Sequence, residues 1–196
     1  DLMGFDRAGL ERWFVEQGEK RFRGHQVFKW IWQRGVVTPE EMTNLNKNTR
    51  TWLSERATIP RLSNAGVQAS KDGTRKYLWE CHDGSTIESV FIPDEEHPSK
   101  PRRTLCISTQ VGCAMACSFC LTGDMGLKRN LTPSEIAGQV LQVAQDLGPD
   151  RPITNIVMMG MGEPLHNLDH IIIALRTMLD EDGLNLSHRK VTVSTV

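Results

Sequence analysis

The sequence lacks any apolar run long enough to cross a membrane, and it has almost no net charge. None of its 196 residues belongs to an apolar stretch that approaches the roughly 18 residues of a spanning helix. No signal-peptide pattern opens the chain. The net charge of −1 gives no overall basic surface, so binding of a nucleic acid would have to rest on local patches. We therefore expect a cytoplasmic protein without a membrane anchor.

Cysteine is scarce, but its spacing is informative. The chain has five cysteines, an odd number that disfavours a secreted disulfide scaffold. Three of them form the run Cys113-x-x-x-Cys117-x-x-Cys120, with no fourth cysteine nearby. A structural zinc site is closed and four-coordinate, and the histidines are too scattered to complete one. Inert buried thiols are the other alternative. Three thiolates would leave one iron of a 4Fe–4S cluster open, so the run favours a reactive cluster.

The first 60 residues are expected to form a small helical domain. Apolar spacing predicts helices around Leu10–Gln17, Gly24–Gln33 and Lys47–Arg56. Basic residues lie among the aromatic ones, a combination that could bind RNA. The same pattern is also typical of a small core with a charged, solvated surface.

Residues 61–102 are expected to form an antiparallel extension followed by a linker. Two Asp-Gly turns, at Asp72-Gly73 and Asp83-Gly84, separate three alternating runs. The pattern predicts a three-stranded meander. The charged, proline-containing residues 94–103 are interpreted as an exposed linker.

From residue 103 to 196 the pattern changes to alternating strands and helices. Strands are predicted over 104–109, 153–160 and 190–196, the second of them buried on both faces. A capping box at Thr132 opens one helix, and another spans 168–182 with Ile172, Leu175 and Leu179 inward. This α/β order is typical of a (β/α) barrel, but about three strands are too few to close one. We therefore expect the front part of a longer protein.

Gly160-Met161-Gly162-Glu163-Pro164 follows the second barrel strand. The two glycines would allow the backbone to approach a ligand closely. A carboxylate at the carboxyl end of a strand can accept strong hydrogen bonds from an ammonium group. The segment therefore predicts a binding loop at the mouth of the barrel.

Together, the cysteine run and the Gly-Glu-Pro segment resemble the radical S-adenosylmethionine enzymes. The resemblance implies a partial radical S-adenosylmethionine barrel with two cofactors, a 4Fe–4S cluster and S-adenosylmethionine. It implies that the amino and carboxylate groups of S-adenosylmethionine chelate the open iron. It places Gly162, Glu163 and Ser194 at that cofactor. Ser194 would otherwise be an ordinary strand hydroxyl.

A closer resemblance is to the RlmN family, and it rests on Leu105–Cys113, Asn130–Thr132 and Val157–Leu165. This family methylates carbon 2 of an adenine in 23S ribosomal RNA and of an adenine beside the anticodon of some transfer RNAs. The resemblance assigns Cys106 to a disulfide that releases the product, and Glu88 to the general base. Without this resemblance, Cys106 would be interpreted as a buried thiol and Glu88 as a solvent-facing strand residue. It also implies an electron donor such as flavodoxin and a monomeric enzyme.

Three alternatives stay open at this point. The Cfr family methylates carbon 8 of the ribosomal adenine and shares the cluster and Gly-Glu-Pro motifs. Another radical S-adenosylmethionine enzyme, such as a glycyl-radical activator, is disfavoured by Cys106 and the helical domain. The third is a zinc-stabilised RNA-binding module without activity. The methyl-carrying cysteine of the RlmN family lies late in its sequence, and Cys81 cannot replace it, so we expect this stretch alone not to turn over.

Overall fold

The computed structural model describes residues 1–94, 101–150 and 152–196. Most of the predicted linker, residues 95–100, lies outside the described residues. The helices in the described part are α1 Arg7–Glu16, α2 Arg21–Arg34, α3 Lys47–Arg56, α4 Leu121–Asp124, α5 Pro133–Leu147 and α6 Leu168–Leu179. The strands are β1 Ser63–Ala69, β2 Arg75–Glu80, β3 Thr86–Asp94, β4 Arg102–Cys106, β5 Gln110–Gly112, β6 Leu127–Asn130, β7 Asn155–Met158 and β8 Val191–Val193. Single 3-10 turns cover Pro39–Glu41, Pro164–Asn167 and His188–Lys190.

The three predicted N-terminal helices are confirmed, and local capping explains where they begin and end. Asp6 caps α1, because its carboxylate accepts the Gly9 N–H at 2.7 Å. Asn46 caps α3 in the same way, accepting the Thr49 N–H at 2.8 Å. Gly35 ends α2 in a left-handed conformation, as its position after the last apolar residue predicts. Helix α2 begins at Arg21, three residues before the predicted Gly24.

The meander and the barrel strands form one mixed sheet in the order β1-β2-β3-β4-β7-β8. Neighbours from β1 to β4 run antiparallel, whereas β4, β7 and β8 run parallel. The predicted linker is wrong at both ends, because Asp94 pairs with Arg102 at the end of the β3–β4 ladder. The antiparallel strands therefore continue the barrel sheet directly.

The register of this sheet separates a covered face from an open face. Phe91, Leu105 and Ile156 occupy adjacent positions on β3, β4 and β7 and are fully buried. The alternate positions are partly or fully exposed, and we call them the open face: Glu88, Val90, Cys106, Val157 and Thr192. The prediction that the second barrel strand is buried on both faces is therefore wrong, since β7 alternates.

Helices α5 and α6 cover the buried face of the sheet. The predicted capping box of α5 is present, with Thr132 N–H donating to the Glu135 carboxylate at 2.9 Å. Helix α6 buries Ile171, Ala174 and Met178, whereas Ile172 and Leu179 are 38% and 37% exposed. The predicted inward face of α6 is thus wrong at Ile172 and Leu179, whereas Leu175 is partly buried against the core.

A carboxylate after α6 joins the helical domain to the barrel. Asp182 accepts hydrogen bonds from Lys29 Nζ at 2.7 Å, His25 Nε2 at 2.7 Å and Arg7 Nη1 at 3.2 Å. All three partners lie on α1 or α2. Asp182 thus acts as a common acceptor at the interface between the two parts of the chain.

This interface is expected to weaken in acid. Hydrogen bonds from Lys29 and His25 lower the pKa of Asp182 in the folded protein. The resulting stabilisation is fully present above the unfolded-state pKa of about 3.9 and is lost as the pH falls through the lower folded-state pKa. The variant Asp182→Asn should therefore melt several degrees below the parent at pH 7, roughly the effect of 1 kcal/mol. The gap should shrink at pH 3.

Thermal unfolding of both proteins at the two pH values measures this difference. The control is Glu16→Gln, which neutralises an exposed carboxylate on α1. A gap between parent and Asp182→Asn that stays constant with pH would contradict the role given to the charge of Asp182.

Candidate functional site

The three clustered cysteines lie on a loop closed by a short hairpin that the sequence did not reveal. Strand β5 leads into the loop and β6 returns from it, paired antiparallel. The Cys113 N–H donates to the Gly126 carbonyl at 3.1 Å and closes the base of the loop. Gly112 has a positive φ of 75°, and a Cβ there would overlap the Gly126 carbonyl oxygen. Only glycine allows this closure.

The thiols on this loop are partly exposed. Cys113, Cys117 and Cys120 are all of intermediate exposure, and the Cys120 N–H donates to the Cys117 carbonyl at 3.0 Å. Hydrogen bonds from the backbone N–H groups of Gly123 and Thr122 lower the pKa of the Cys120 thiol. This favours the thiolate, which is the form that binds metals.

The described residues contain no group of three Cys, His, Asp or Glu side chains placed to hold a single metal ion. The donor set nevertheless fits an iron–sulfur cluster. Three thiols lie on one accessible loop, and a cubane is larger than a single ion and binds its cysteines at separate irons. The loop is therefore a candidate site for a cluster with three protein ligands.

Glu163 lies at the start of the 3-10 turn after β7 and is only 5% exposed. Its Oε1 accepts the Leu165 N–H at 2.9 Å and the Thr195 hydroxyl at 2.7 Å, and its Oε2 accepts the Val196 N–H at 3.3 Å. Burial tends to raise the pKa of Glu163, but these hydrogen bonds outweigh it and lower the pKa. The group is therefore a carboxylate, and Oε2 has a lone pair left for an ammonium group.

The glycines beside Glu163 have a packing role that the sequence did not predict. A Cβ on Gly160 would lie 2.7 Å from the Ile107 carbonyl oxygen. A Cβ on Gly162 would lie 2.6 Å from the Gln110 Cβ, and its φ of 104° also requires glycine. Both glycines therefore let this loop pack against the β4–β5 connection. That the backbone of Gly162 contacts a cofactor stays a prediction.

The open face brings two other predicted residues onto neighbouring strands. Glu88 on β3 forms an ion pair with Lys76 on β2 at 3.1 Å, and both side chains are about two-fifths exposed. Cys106 on β4 is partly buried, and burial raises its pKa against a hydrogen bond from the Met159 backbone. Because the reactive form of a cysteine is the thiolate, Cys106 would need help to ionise. Ser194 follows the end of β8 and is partly buried.

Sequence reasoning missed a buried polar network behind the site. Gln139 on α5 is fully buried, and its Oε1 accepts the Ser89 hydroxyl at 2.8 Å and the Ser108 N–H at 2.9 Å. The Ser108 hydroxyl donates to the Glu88 carbonyl at 2.7 Å. One signal could have revealed this network, because Gln139 is polar yet lies between Ile136 and Val143 on the apolar stripe of the helix. The ion pair of Lys76 with Glu88 was also missed, and nothing in the sequence around Lys76 indicated it.

Comparison with known proteins agrees with this geometry. Residues 1–59 match the family model described as ribosomal RNA large subunit methyltransferase N-terminal domain, and residues 107–196 match that of the radical SAM superfamily. The chain is 52% identical over 195 residues to the dual-specificity RNA methyltransferase RlmN of Geobacter sulfurreducens, covering 100% of this chain and 52% of the relative. Over its whole length, the chain is therefore similar to RlmN proteins. RlmN of Pelobacter propionicus is likewise 52% identical, with 54% of its length covered.

The similarity extends to the fold. The crystal structure of a radical SAM methyltransferase from Sphaerobacter thermophilus superposes with a TM-score of 0.86 at 39% identity, covering 98% of this chain and 56% of that one. The predicted fold class, a partial radical S-adenosylmethionine barrel behind a helical domain, is confirmed. The chain spans about half the length of the curated RlmN relatives that it matches. No helix in the described residues is both long and apolar enough to span a bilayer.

The match to the radical SAM superfamily model favours the two predicted cofactors, a 4Fe–4S cluster and S-adenosylmethionine. The three-cysteine loop has the donors that such a cluster takes from a protein. The match of the helical domain to the RlmN-type model favours this family over a glycyl-radical activator. The roles of individual site residues stay predictions.

Proposed function

We propose that the protein carrying this chain methylates carbon 2 of an adenine in 23S ribosomal RNA and of an adenine beside the anticodon of transfer RNA. The observation that carries the proposal is the packing of the Glu163 loop against Gln110, at the base of the three-cysteine loop, in a chain 52% identical to dual-specificity RNA methyltransferases. An open iron and an ammonium-binding carboxylate are what a radical S-adenosylmethionine site requires. The Cfr-type reaction at carbon 8 is the alternative.

The chain's own residues would hold the cofactors as follows. Cys113, Cys117 and Cys120 would bind the cluster as thiolates, and Glu163 would bind the amino group of S-adenosylmethionine. Ser194 and the backbone of Gly162 would contact the same cofactor. When bound, the two cofactors supply a 5′-deoxyadenosyl radical, which is chemistry that the protein positions and protects from water.

Two open-face residues would act on the substrate. Glu88 would remove the proton from the methylated adenine carbon, and Lys76 at 3.1 Å keeps a positive charge beside that carboxylate. Cys106 would attack the sulfur of the methyl-carrying cysteine, which we place outside these 196 residues. As this S–S bond forms, the bond from that sulfur to the methylene carbon on the adenine would break, and that carbon would take the electron pair and a proton, which releases the product. The electron left over from the radical would return to the electron-donor system. Burial raises the pKa of the Cys106 thiol, which holds it unreactive until a base or the intermediate draws off its proton.

The helical domain supports an RNA partner. Guanidinium groups lie over aromatic rings in three pairs: Arg23 over Phe22 at 4.8 Å, Arg34 over Trp30 at 5.9 Å and Arg56 over Trp52 at 5.8 Å. Stacked arginine and aromatic groups bind unpaired bases and phosphates. We further propose that the enzyme is a cytoplasmic monomer and receives electrons from a small donor such as flavodoxin.

Methyl transfer tests this proposal. The full-length protein, reconstituted anaerobically with iron and sulfide, is incubated with methyl-labelled S-adenosylmethionine, reductant and either a 23S fragment or a transfer RNA. Digestion to nucleosides should give 2-methyladenosine from both RNAs. The variant Glu88→Gln should slow its formation by at least about 100-fold, the usual size of a lost general base. Formation of 8-methyladenosine would replace the proposal by the Cfr-type reaction, and no labelled adenosine would overturn both.

A further inference from the structure

Gln110 is a buried amide that joins the two loops of the candidate site. It begins β5, three residues before Cys113, and is fully buried. Its Oε1 accepts the Glu163 N–H at 2.8 Å, and its Nε2 donates to Asn130 Oδ1 at 2.7 Å. Its backbone N–H donates to the Met161 carbonyl at 3.1 Å. One residue at the base of the cysteine loop therefore binds the Gly-Glu-Pro loop through both backbone and side chain.

Asn130 extends this link from the other side of the cysteine loop. It lies opposite Gln110 on β6, the strand that returns from the loop. Its Nδ2 donates to the His166 carbonyl at 3.1 Å. Both strands at the base of the cysteine loop are thus tied to residues 161–166.

The direction of these bonds is fixed by backbone groups. The Glu163 N–H can only donate, so it selects the oxygen of the Gln110 amide. The His166 carbonyl can only accept, so it selects the nitrogen of the Asn130 amide, and the remaining oxygen of Asn130 then faces the nitrogen of Gln110. Rotating either amide would break two bonds. The link therefore holds a single arrangement.

We propose that Gln110 is a positioning residue that couples the cysteine loop to Glu163 and so sets Glu163 against the open iron. The proposal rests on the function proposed above. S-adenosylmethionine would have to contact Glu163 through its amino group while it chelates the cluster held by the cysteine loop. A misplacement of about 1 Å between such contacts costs on the order of 100-fold in a reaction. The hydrogen bond from the Glu163 N–H to the Gln110 side chain is the direct contact that would hold the spacing between Glu163 and the cysteine loop.

The test replaces Gln110 by methionine, which keeps the length of the side chain and removes both hydrogen bonds. The matched control is Gln142→Met. Gln142 lies on α5 and likewise uses both ends of its amide, accepting the Leu62 N–H at 2.9 Å and donating to the Leu62 carbonyl at 2.8 Å. These bonds involve neither the cysteine loop nor the Glu163 loop. Both variants are made in the full-length protein and reconstituted anaerobically. Iron content, the Kd of S-adenosylmethionine and the EPR spectrum of the reduced cluster with and without it are measured.

Gln110→Met is expected to bind as much iron as the parent and to give the same spectrum without S-adenosylmethionine. Its Kd for S-adenosylmethionine should rise at least about 10-fold, and the spectral change on binding should shrink. Gln142→Met should leave the Kd for S-adenosylmethionine and the spectral change on binding unchanged. Hydrogen exchange of the protein without cofactors gives an independent readout, in which the Glu163 amide should exchange at least 10-fold faster in Gln110→Met alone.

Each other outcome has a distinct meaning. An unchanged Kd, spectrum and exchange rate in Gln110→Met would overturn the coupling role. An equal rise in Kd for Gln142→Met would reduce the effect to general loss of stability and also overturn it. A parent that binds neither iron nor S-adenosylmethionine would instead overturn the proposed function. If Gln110→Met does not fold, Asn130→Asp removes only the outer bond to His166, and it should give a smaller change of the same sign.

Discussion

Replacing Cys117 by alanine is expected to abolish binding of the cluster and with it all methyl transfer. In the proposed site three thiolates would hold three irons of the cubane, so the loss of one would leave two irons open to exchange and hydrolysis. Iron content should fall from about four per chain to less than one after anaerobic reconstitution and desalting. Absorbance, iron and sulfide analysis and low-temperature EPR of the reduced protein measure this directly.

Two other cysteines provide the controls. Cys81 is 2% exposed and its pKa is raised to about 12, chiefly by burial, so it has the character of a core thiol. Cys106 lies on the open face, outside the cysteine loop. Cys81→Ala and Cys106→Ala should both retain iron, and Cys106→Ala should still lose turnover. Full iron loading of Cys117→Ala would contradict the ligand assignment, as would loss of iron in Cys106→Ala.

Local signals predicted most of the elements. The capping box at Thr132 and the stop at Gly35 act within one turn of chain, so the helices they bound were predicted within a few residues. The two Asp-Gly turns define the meander for the same reason. The cysteine run and Glu163 were recognised because their chemistry depends on spacing along the sequence.

Features set by distant contacts were not predicted. The hairpin of β5 and β6 is short, and its two strands are separated by the cysteine loop, so neither has a periodic pattern of its own. The inward face of α6 was wrong at two of its three residues, because which side chains are buried depends on what the helix packs against. The role of Gly162 depends on Gln110, which lies 52 positions earlier in the chain and binds its neighbour Glu163. Such packing requires three-dimensional coordinates.

Arg129→Ala is expected to cost about 3 kcal/mol of folding free energy, because it would leave the buried carboxylate of Glu135 without its partner. Arg129 lies on β6, directly opposite Val111. Its guanidinium donates to Glu135 at 2.8 Å from both Nη atoms, to Asp83 at 2.7 and 3.1 Å, and to the Asn130 carbonyl at 3.1 Å. All five N–H groups of the guanidinium are therefore used.

The pH dependence of this loss follows from the partner carboxylates. Burial tends to raise the pKa of Glu135, but Arg129 and the Thr132 N–H outweigh it and lower the pKa. Arg129 also lowers the pKa of Asp83. A carboxylate whose pKa is lowered by folding stabilises the folded protein at pH values above its unfolded-state pKa, which is about 4.3 for glutamate. This stabilisation is lost as the pH falls through the folded-state pKa. The difference between parent and Arg129→Ala should thus be largest near pH 7 and shrink in acid.

Urea unfolding at pH 7 and pH 3 measures this difference, and two variants interpret it. Arg21→Ala removes an exposed arginine, 76% accessible, that pairs with Glu11, and it should cost less than about 1 kcal/mol. Adding Glu135→Gln to Arg129→Ala removes the unpaired buried charge while glutamine keeps the capping box, so part of the stability should return.

A loss in Arg129→Ala no larger than that of Arg21→Ala would mean that Arg129 does not anchor the loop. Because β6 carries the returning end of the cysteine loop, a real loss should also speed hydrogen exchange over residues 113–126, and iron should be released faster from the reconstituted protein.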